Sequence, residues 1–434
     1  MTLYQKLCRS SLDIRELGFI PCSPAPDTLG TTSDGAIRFC IKEDHGEMIF
    51  ATGEQCFPVA RNFADFMGLL YCCKDAKLIS HVPDWTRLRF CRELSRVTLT
   101  HKQRMVRNGL CNGFHPPLID DPYAYIQALQ TPDPIPEPSS NKAVTSEISV
   151  AYGDTLWHVK DLHIHDTGVD VQLCIEIPGQ RILAFHDRWD GIEPDEEQLL
   201  TMHADNPFAL HLELRGMVNG MELKPETMET VHWDPLSDST AEAKKTLLRY
   251  GLNKEQGWIF LLLRFARSLN RKKGIRSLVL SLNSTAVTIP GPRLVTPIAQ
   301  ESVALTHPVT GKVHTFSVHS CSDEGLDPNF LINPPCFYSR LCYSLSPALS
   351  TEAFQIFDSL PNDRLRTPIG STSPYPDEAY ENAPTTELVE QDETLPAHIR
   401  TAFSSRHYEP KPHVHWQTRF CCKLAPDTVL PIIR

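Results

Sequence analysis

The sequence predicts a multi-domain α+β protein that consists mostly of antiparallel β-sheet or sandwich, with a few packed helices. Three observations favour this class. The chain has 434 residues, more than one ordinary hydrophobic core accommodates. Short apolar runs of strand length recur along it, whereas helical spacing of apolar residues is confined to a few stretches. Proline-rich segments separate these parts, as linkers between domains do.

The proline-rich segments set the predicted domain boundaries. Residues 1–128 form an α+β domain, residues 129–146 a linker with alternating prolines, and residues 147–360 a β-rich central domain. An acidic, proline-rich linker covers residues 361–393, and residues 394–434 form a closing helix and strand. Boundaries fall at these linkers because alternating prolines cannot donate a regular hydrogen-bond ladder and stay extended.

Two strands and a helix are predicted in the first domain. Residues 37–41 and 47–52 have strand composition, and Asp-His-Gly between them predicts a turn. A helix is predicted to begin after Asn62, a residue type that caps helices. Four residues then recur at helical spacing and predict core packing: Phe63, Phe66, Met67 and Leu70.

A second helical stretch, from Asp84 to Asn108, is strongly basic. Its basic residues outnumber its two acids: Arg87, Arg89, Arg92, Arg96, Lys102, Arg104 and Arg107. A basic helix is able to face nucleic-acid phosphates, but a solvated face with local ion pairs explains the same pattern. We favour the second interpretation.

The central domain is predicted to be rich in strands. Residues 156–165, 169–177 and 208–214 have strand patterns, and a helix from Ser239 to Tyr250 carries a capping box formed by Ser239 and Glu242. Further strands are predicted over the segments 307–318, with a Thr-Gly turn, and 336–357. The chain is predicted to close with a helix over 396–405 and a strand over 415–424.

The stretch from Gly257 to Arg293 is the centre of the sequence prediction. Its two apolar runs, 258–263 and 278–282, are separated by basic residues and predict a β-hairpin over 257–293. The candidate partner-binding residues are the cations around its predicted tip: Arg264, Arg267, Arg271, Lys272, Lys273 and Arg276. Cations also protect sheet edges from aggregation, so a solvated edge and a docking site for an anionic partner both stay open.

The acidic linker suggests an internal partner for these cations. Seven carboxylates lie between Thr367 and Glu393. If this segment folded over the basic hairpin, it would mask the cations through exposed pairs, each worth only about 0 to 1 kcal/mol.

Two parts of the sequence resemble protein families. Residues 48–71 resemble the last strand and helix of the SMI1/KNR4 superfamily, with Ala60, Phe63, Phe66 and Leu69 at the matching positions. This resemblance implies a non-catalytic module in an immunity or regulatory role. The region from the basic hairpin through HPVTGKVHTFSV also resembles a family of uncharacterised gut-bacterial proteins, which implies no particular activity.

The best catalytic candidate is the motif Asp161-Leu-His163-Ile-His165. Two histidines one residue apart project from the same face of a strand, so both imidazoles are able to bind one metal ion. The motif resembles the first metal motif of PHP-type phosphoesterases and, more loosely, of amidohydrolases. That resemblance implies that His163 and His165 hold Zn²⁺ or another divalent metal, with Asp161 orienting them.

The composition bears on the class of partner and on the cellular compartment. The 53 acidic residues against 42 Lys and Arg give a net charge of −11, which does not favour a nucleic-acid partner. The 14 cysteines include no C-x-x-C, and no apolar run has the length of a membrane span, so we expect a cytoplasmic protein without a membrane partner. Nucleotide and α/β-hydrolase fingerprints are absent from the sequence.

The sequence therefore favours a non-enzymatic, cytoplasmic protein-binding module that needs no cofactor, in an immunity or regulatory role. Enzymatic activity stays open. The alternative is a metal-dependent hydrolase that uses Asp161, His163 and His165.

Overall fold

The computed structural model confirms the α+β class. It describes residues 2–25, 28–42, 46–53, 55–130, 148–165, 168–266, 275–296, 302–325, 335–363, 396 and 398–433. Within these ranges the strands form five sheets, and every strand pair is antiparallel. Nearly all of both predicted linkers lies outside the described residues, and so does the acidic segment 367–393.

The chain divides into two compact units. The first contains Met1–Asp187 and Pro225–Gly274, and the second contains Arg188–Lys224 and Ile275–Arg434. The domain boundaries drawn from composition stay a prediction.

The first unit begins with a sheet whose strands pair in chain order. They are β1 Phe19–Ala25, β2 Thr28–Thr32, β3 Arg38–Ile41, β4 Ile49–Thr52 and β5 Cys56–Ala60. The predicted strand pair is confirmed as β3 and β4, with Cys40 opposite Phe50. Two residues of its predicted turn, Asp44 and His45, lie outside the described residues.

Short helices accompany this sheet. They are α1 Leu3–Arg9, a 3₁₀ turn Ile14–Leu17, α2 Phe63–Cys73, α3 Ala76–His81, α4 Arg87–Arg96, α5 His101–Phe114 and α6 Pro122–Gln127. The predicted helix cap is confirmed, because the Asn62 side chain accepts the Asp65 N–H at 2.9 Å. The predicted core stripe is confirmed at Phe66, whose ring contacts Phe19 and Phe39 at centroid distances of 5.3 and 4.9 Å.

The basic stretch from Asp84 to Asn108 is not one helix. It forms α4 and then α5, because Val97 adopts an extended conformation that ends the first helix. Thr100 starts the second helix with a capping box completed by Gln103.

The first unit continues with the central sheet, in the order β11, β12, β8, β7, β6. Its strands are β6 Ile148–Tyr152, β7 Thr155–His165, β8 Gly168–Ile177, β11 Thr227–Trp233 and β12 Gly257–Ala266. The predictions of β7 and β8 are confirmed. Two helices lie between these strands in the chain: α7 Gly179–Trp189 after β8, and α9 Ala241–Arg249 between β11 and β12. Thr240, not the predicted Ser239, caps α9 by accepting the Ala243 N–H at 3.2 Å.

The predicted β-hairpin over 257–293 is wrong, although both of its apolar runs are strands. β12 pairs with β11 on one side and with β8 on the other. The second run, β13 Leu278–Ser284, pairs with β9 Leu212–Val218 and β21 Thr428–Ile433. Each strand therefore has both edges occupied and none left for the other.

The second unit contains α8 Glu196–Asp205 and three sheets. The first sheet has the order β10, β9, β13, β21, where β10 is Met221–Leu223. The left-handed pair Asn219 and Gly220 forms the turn between β9 and β10. The remaining strands are β14 Ala286–Thr296, β15 Ser302–Thr306, β16 Val313–Gly325, β17 Phe337–Ser346, β18 Phe354–Asp358, β19 Arg400–Phe403 and β20 Val414–Lys423.

Those strands form two sheets, ordered β14, β20, β18 and β15, β16, β17, β19. Their buried side chains include Trp416, Phe316, Phe354 and Phe420, which belong to one hydrophobic cluster. The predicted Thr-Gly turn is confirmed between β15 and β16, where Gly311 has φ of 67°.

The predicted closing helix over 396–405 is wrong. Arg400–Phe403 is strand β19, because its backbone completes the open side of β17 opposite Arg340–Tyr343. The following strand prediction is confirmed as β20, and the predicted strand over 208–214 begins later, at Leu212. No helix in the described parts of the chain is both long and apolar enough to cross a membrane.

Candidate functional site

Four polar residues singled out by the sequence lie on one face of the central sheet: Asp161, His163, His165 and Arg264. We call the surface on which α9 packs the α9 face. One half of it is apolar: Trp258 of β12 and Cys174 of β8 form a hydrophobic cluster with Ala243 and Leu247 of α9. This half fixes the helix on the sheet.

The other half of the α9 face is polar. His163 of β7 lies opposite Asp170 of β8, and Asp170 lies opposite Arg264 of β12. Because side chains of a strand alternate between faces, Arg264 shares the face of Phe260, which belongs to the cluster under α9. The three polar residues therefore lie side by side on the half that α9 leaves uncovered.

Asp161 lies at the seam between the two halves. Val159 pairs with Leu173 and Asp161 with Gln172, so Lys160 is an extra residue that forms a β-bulge. The buried carboxylate of Asp161 accepts hydrogen bonds from Arg249 Nη2 at 2.7 Å and from the Tyr250 hydroxyl at 2.5 Å. Burial, followed by the hydrogen bond to Asp161, raises the pKa of Tyr250. Asp161 therefore anchors the C-terminal end of α9 to β7.

The two histidines of the candidate metal motif lie beside each other. Their rings are nearly parallel, at 18°, with centroids 6.3 Å apart. His165 Nε2 is 3.4 Å from the carboxylate of Asp170. The same carboxylate accepts Arg264 Nε at 3.1 Å and Nη2 at 3.4 Å. Within the described residues, the one carboxylate that contacts these imidazoles is thus already bound to a guanidinium.

Metal binding gains no geometric support from this arrangement. In the ranges that the structure describes, no group of three or more His, Cys, Asp or Glu side chains is placed to hold a metal ion. The orienting role implied for Asp161 would also compete with its hydrogen bonds to Arg249 and Tyr250.

Two of the six candidate partner-binding cations, Arg264 and Arg276, lie within the described residues. The hydrogen bond to Asp170 raises the pKa of Arg264, and the charges of Glu229 and Glu226 add to this effect. Arg276 is exposed, and its backbone N–H donates to Asn219 Oδ1 at 2.6 Å. The other four candidates lie outside the described residues: Arg267, Arg271, Lys272 and Lys273.

Cations of α4 and α5 make contacts within the first unit. Arg92 is buried and its partner is distant in sequence, so a solvated face with local ion pairs describes this stretch only in part. Arg92 Nε binds the Asp187 carboxylate at 2.9 Å, and Lys102 Nζ binds Glu16 at 2.7 Å. Arg107 donates to the Tyr71 carbonyl at 2.9 Å and lies over its ring. Several cations of these helices are therefore paired with groups of the first unit.

A cleft of about 370 Å³ lies between α3 and α4. In its lining the His81 ring stacks on Trp85, with centroids 4.6 Å apart. Burial and the charges of Lys77 and Arg89 lower the pKa of His81. The lining charges are engaged, because Lys77 binds Asp34 at 3.1 Å and Arg96 approaches Glu93 at 3.4 Å.

Strand β11 forms an edge of the central sheet. Its register with β12 is continuous from Thr227 opposite Arg264 to Trp233 opposite Trp258. Residues 227–230 and His232 are exposed. Among the described strands none pairs with the outer side of β11. Its outward backbone N–H and C=O groups are a template for another strand.

The other edge strands of the described sheets are protected in ways that β11 is not. Proline occurs in the edge strands β1, β5, β14 and β21. The edge strands β6, β10, β15, β18 and β19 have at most five residues. β11 has seven residues, no proline and no register shift. It is the longest described edge strand without proline.

The sequence prediction missed β11. A signal was present, because the segment TMETVHW is rich in β-formers and is bounded by Pro225 and Pro235. Its apolar residues Met228, Val231 and Trp233 do not alternate strictly with polar ones, so the period of a half-buried strand is not visible.

No family model, curated protein or solved structure matches this chain. The resemblances to the SMI1/KNR4 superfamily, to the gut-bacterial family and to PHP-type phosphoesterases therefore stay predictions.

Proposed function

We propose that this protein is a non-enzymatic module that binds another protein by adding one of its extended segments to the edge of β11. The observation that carries the proposal is an exposed edge strand of seven residues without proline or register shift. Such an edge offers backbone hydrogen bonds to an incoming strand, and side chains on alternating sides give specificity.

The support behind β11 makes the edge a rigid platform. β11 pairs along its length with β12, which is buried from Gly257 to Leu261. At its C-terminal end, Trp233 is buried in the cluster under α9 and donates its indole N–H to the Lys254 carbonyl at 3.0 Å. The loss of conformational entropy on binding is therefore small on the β11 side of the interface, because this edge is already ordered.

The cytoplasmic setting and the immunity or regulatory role belong to the same proposal. The cytoplasmic setting is supported by the reduced, scattered cysteines of the sequence. The role rests on the resemblance of residues 48–71 to the SMI1/KNR4 superfamily.

The test uses the full chain against a displayed library of random nine-residue peptides. We expect the chain to enrich segments of β-forming residues. A proline at Thr230 interrupts the hydrogen-bond ladder of the edge strand, so T230P is expected to abolish the enrichment. T230K places a charge on the edge that blocks strand addition with little effect on folding.

The matched control is A151K, which places the same charge on β6, at the opposite edge of the same sheet. Loss of enrichment in T230K with retention in A151K supports the β11 edge. Equal enrichment by the native chain, T230P and T230K would overturn the proposal.

A further inference from the structure

We infer that the segment taken by β11 carries a basic side chain opposite Glu229, between apolar or β-branched residues. This inference rests on the proposed function, because it names the chemistry of the strand that joins the edge. It concerns the partner class and leaves the strand-addition mode itself unchanged.

Glu229 occupies the third of the seven positions of β11 and is exposed. Its direct neighbour on β12 is Leu262, which offers no charge to its carboxylate. Within the described residues Glu229 makes no ion pair, and its charge contributes to the raised pKa of Arg264. Arg264 is itself hydrogen-bonded to Asp170. A cation on the partner strand would therefore meet an available carboxylate.

Strand geometry fixes where that cation belongs. Residues directly opposite each other on antiparallel strands have Cβ atoms about 4.5 to 5.5 Å apart, within reach of a Lys or Arg head group. The neighbours of Glu229 along the strand are Met228, which is 57% exposed, and Thr230. They favour apolar and β-branched partner residues on both sides of the cation.

The charge of Glu229 also disfavours a second copy of this chain in the two central registers of self-pairing. Antiparallel self-pairing centred on Thr230 would place the two Glu229 side chains diagonally, about 7 to 8 Å apart on one face. Pairing centred on Glu229 would place them directly opposite. Like charges destabilise both arrangements, whereas a basic segment from another protein gains from the same carboxylate.

The test compares residue preferences within the enriched peptides. The native chain is expected to enrich Lys or Arg at one register position, and E229K is expected to enrich Asp or Glu at that position. Single peptides that differ only there should differ in affinity by roughly two- to five-fold, with the order reversed in E229K.

The matched control is E242K, which makes the same charge change at an exposed residue of α9. It should keep the native preference. A shift in E242K equal to that in E229K would show a net-charge effect and overturn the inference.

Failure of the inference and failure of the proposed function give different results. Enrichment that depends on Thr230 but shows no charge preference would overturn the basic partner and leave strand addition intact. Enrichment of self-like segments such as TMETVHW by the native chain would favour a second copy and overturn the inference. Enrichment unaffected by T230P and T230K would overturn the proposed function, because the peptides would then bind elsewhere than at the β11 edge.

Discussion

The two halves of the α9 face differ in what their side chains contribute: one is an apolar cluster that stabilises the fold, and the other carries polar side chains. Under α9, Trp258 and Cys174 are buried in an apolar cluster. Beyond α9, the partly buried carboxylate of Asp170 pairs with Arg264, which is 46% exposed. Asp161 lies between the halves, buried but satisfied by two donors. Loss of a covered side chain should thus affect folding, whereas the uncovered ones can change with little effect on it.

The largest effect is expected from the covered half. Trp258 is 3% exposed and donates its indole N–H to the Asn253 carbonyl at 2.8 Å. W258A should lower the free energy of unfolding by about 3 to 5 kcal/mol, because it opens a cavity and removes a hydrogen bond. Urea denaturation followed by circular dichroism measures the change.

The control for W258A is M228A, which removes an exposed side chain from β11. Its free energy of unfolding should stay within about 0.5 kcal/mol of the native value. Equal losses in the two variants would contradict the contrast between buried and exposed parts of the sheet.

Local patterns were sufficient to predict several elements correctly. The apolar spacing after Asn62 predicted α2, and the runs at 156–165 and 169–177 predicted β7 and β8. These signals are local because the strand or helix period is visible within a few residues. Pairing is not local. The runs of β12 and β13 are close in sequence, but their partners lie up to 155 residues away, as Leu278 opposite Ile433 shows.

The candidate site was predictable to the same extent. The shared face of His163 and His165 follows from the strand period and is seen in their parallel rings. The partners of Asp161 were not predictable, because Arg249 and Tyr250 reach it from a helix 88 and 89 residues further along the chain. The β11 edge becomes visible only with the strand order of the sheet.

The seam between the halves should show the next largest effect. D161N keeps the shape of the side chain but removes the charge that pairs with Arg249, and it leaves the buried Tyr250 hydroxyl with a poorer acceptor. The free energy of unfolding should fall by about 1 to 3 kcal/mol. A urea titration gives the value, and hydrogen exchange of the α9 amides should locate the loss at the C-terminal end of that helix.

The control for D161N is D170N, the equivalent change in the uncovered half. The Asp170 side chain is 15% exposed, but its partner Arg264 is 46% exposed, and ion pairs that water reaches contribute less to stability than buried ones. Its unfolding midpoint should shift far less than that of D161N. A larger shift in D170N would show that the uncovered half also holds the sheet together.

The smallest effect on folding is expected from the two histidines, and their variants also test the hydrolase alternative. The double variant H163A/H165A should change the free energy of unfolding by less than about 0.5 kcal/mol, because neither side chain is buried.

Zn²⁺ binding to the native chain, measured by calorimetry after removal of adventitious metal, should be weak because Arg264 already binds Asp170. R264A frees that carboxylate and should strengthen Zn²⁺ binding, and H163A/H165A should abolish the gain. Near-stoichiometric metal in the native protein that disappears in H163A/H165A would instead favour the metal-dependent hydrolase. It would also place a metal site on the uncovered half of the α9 face.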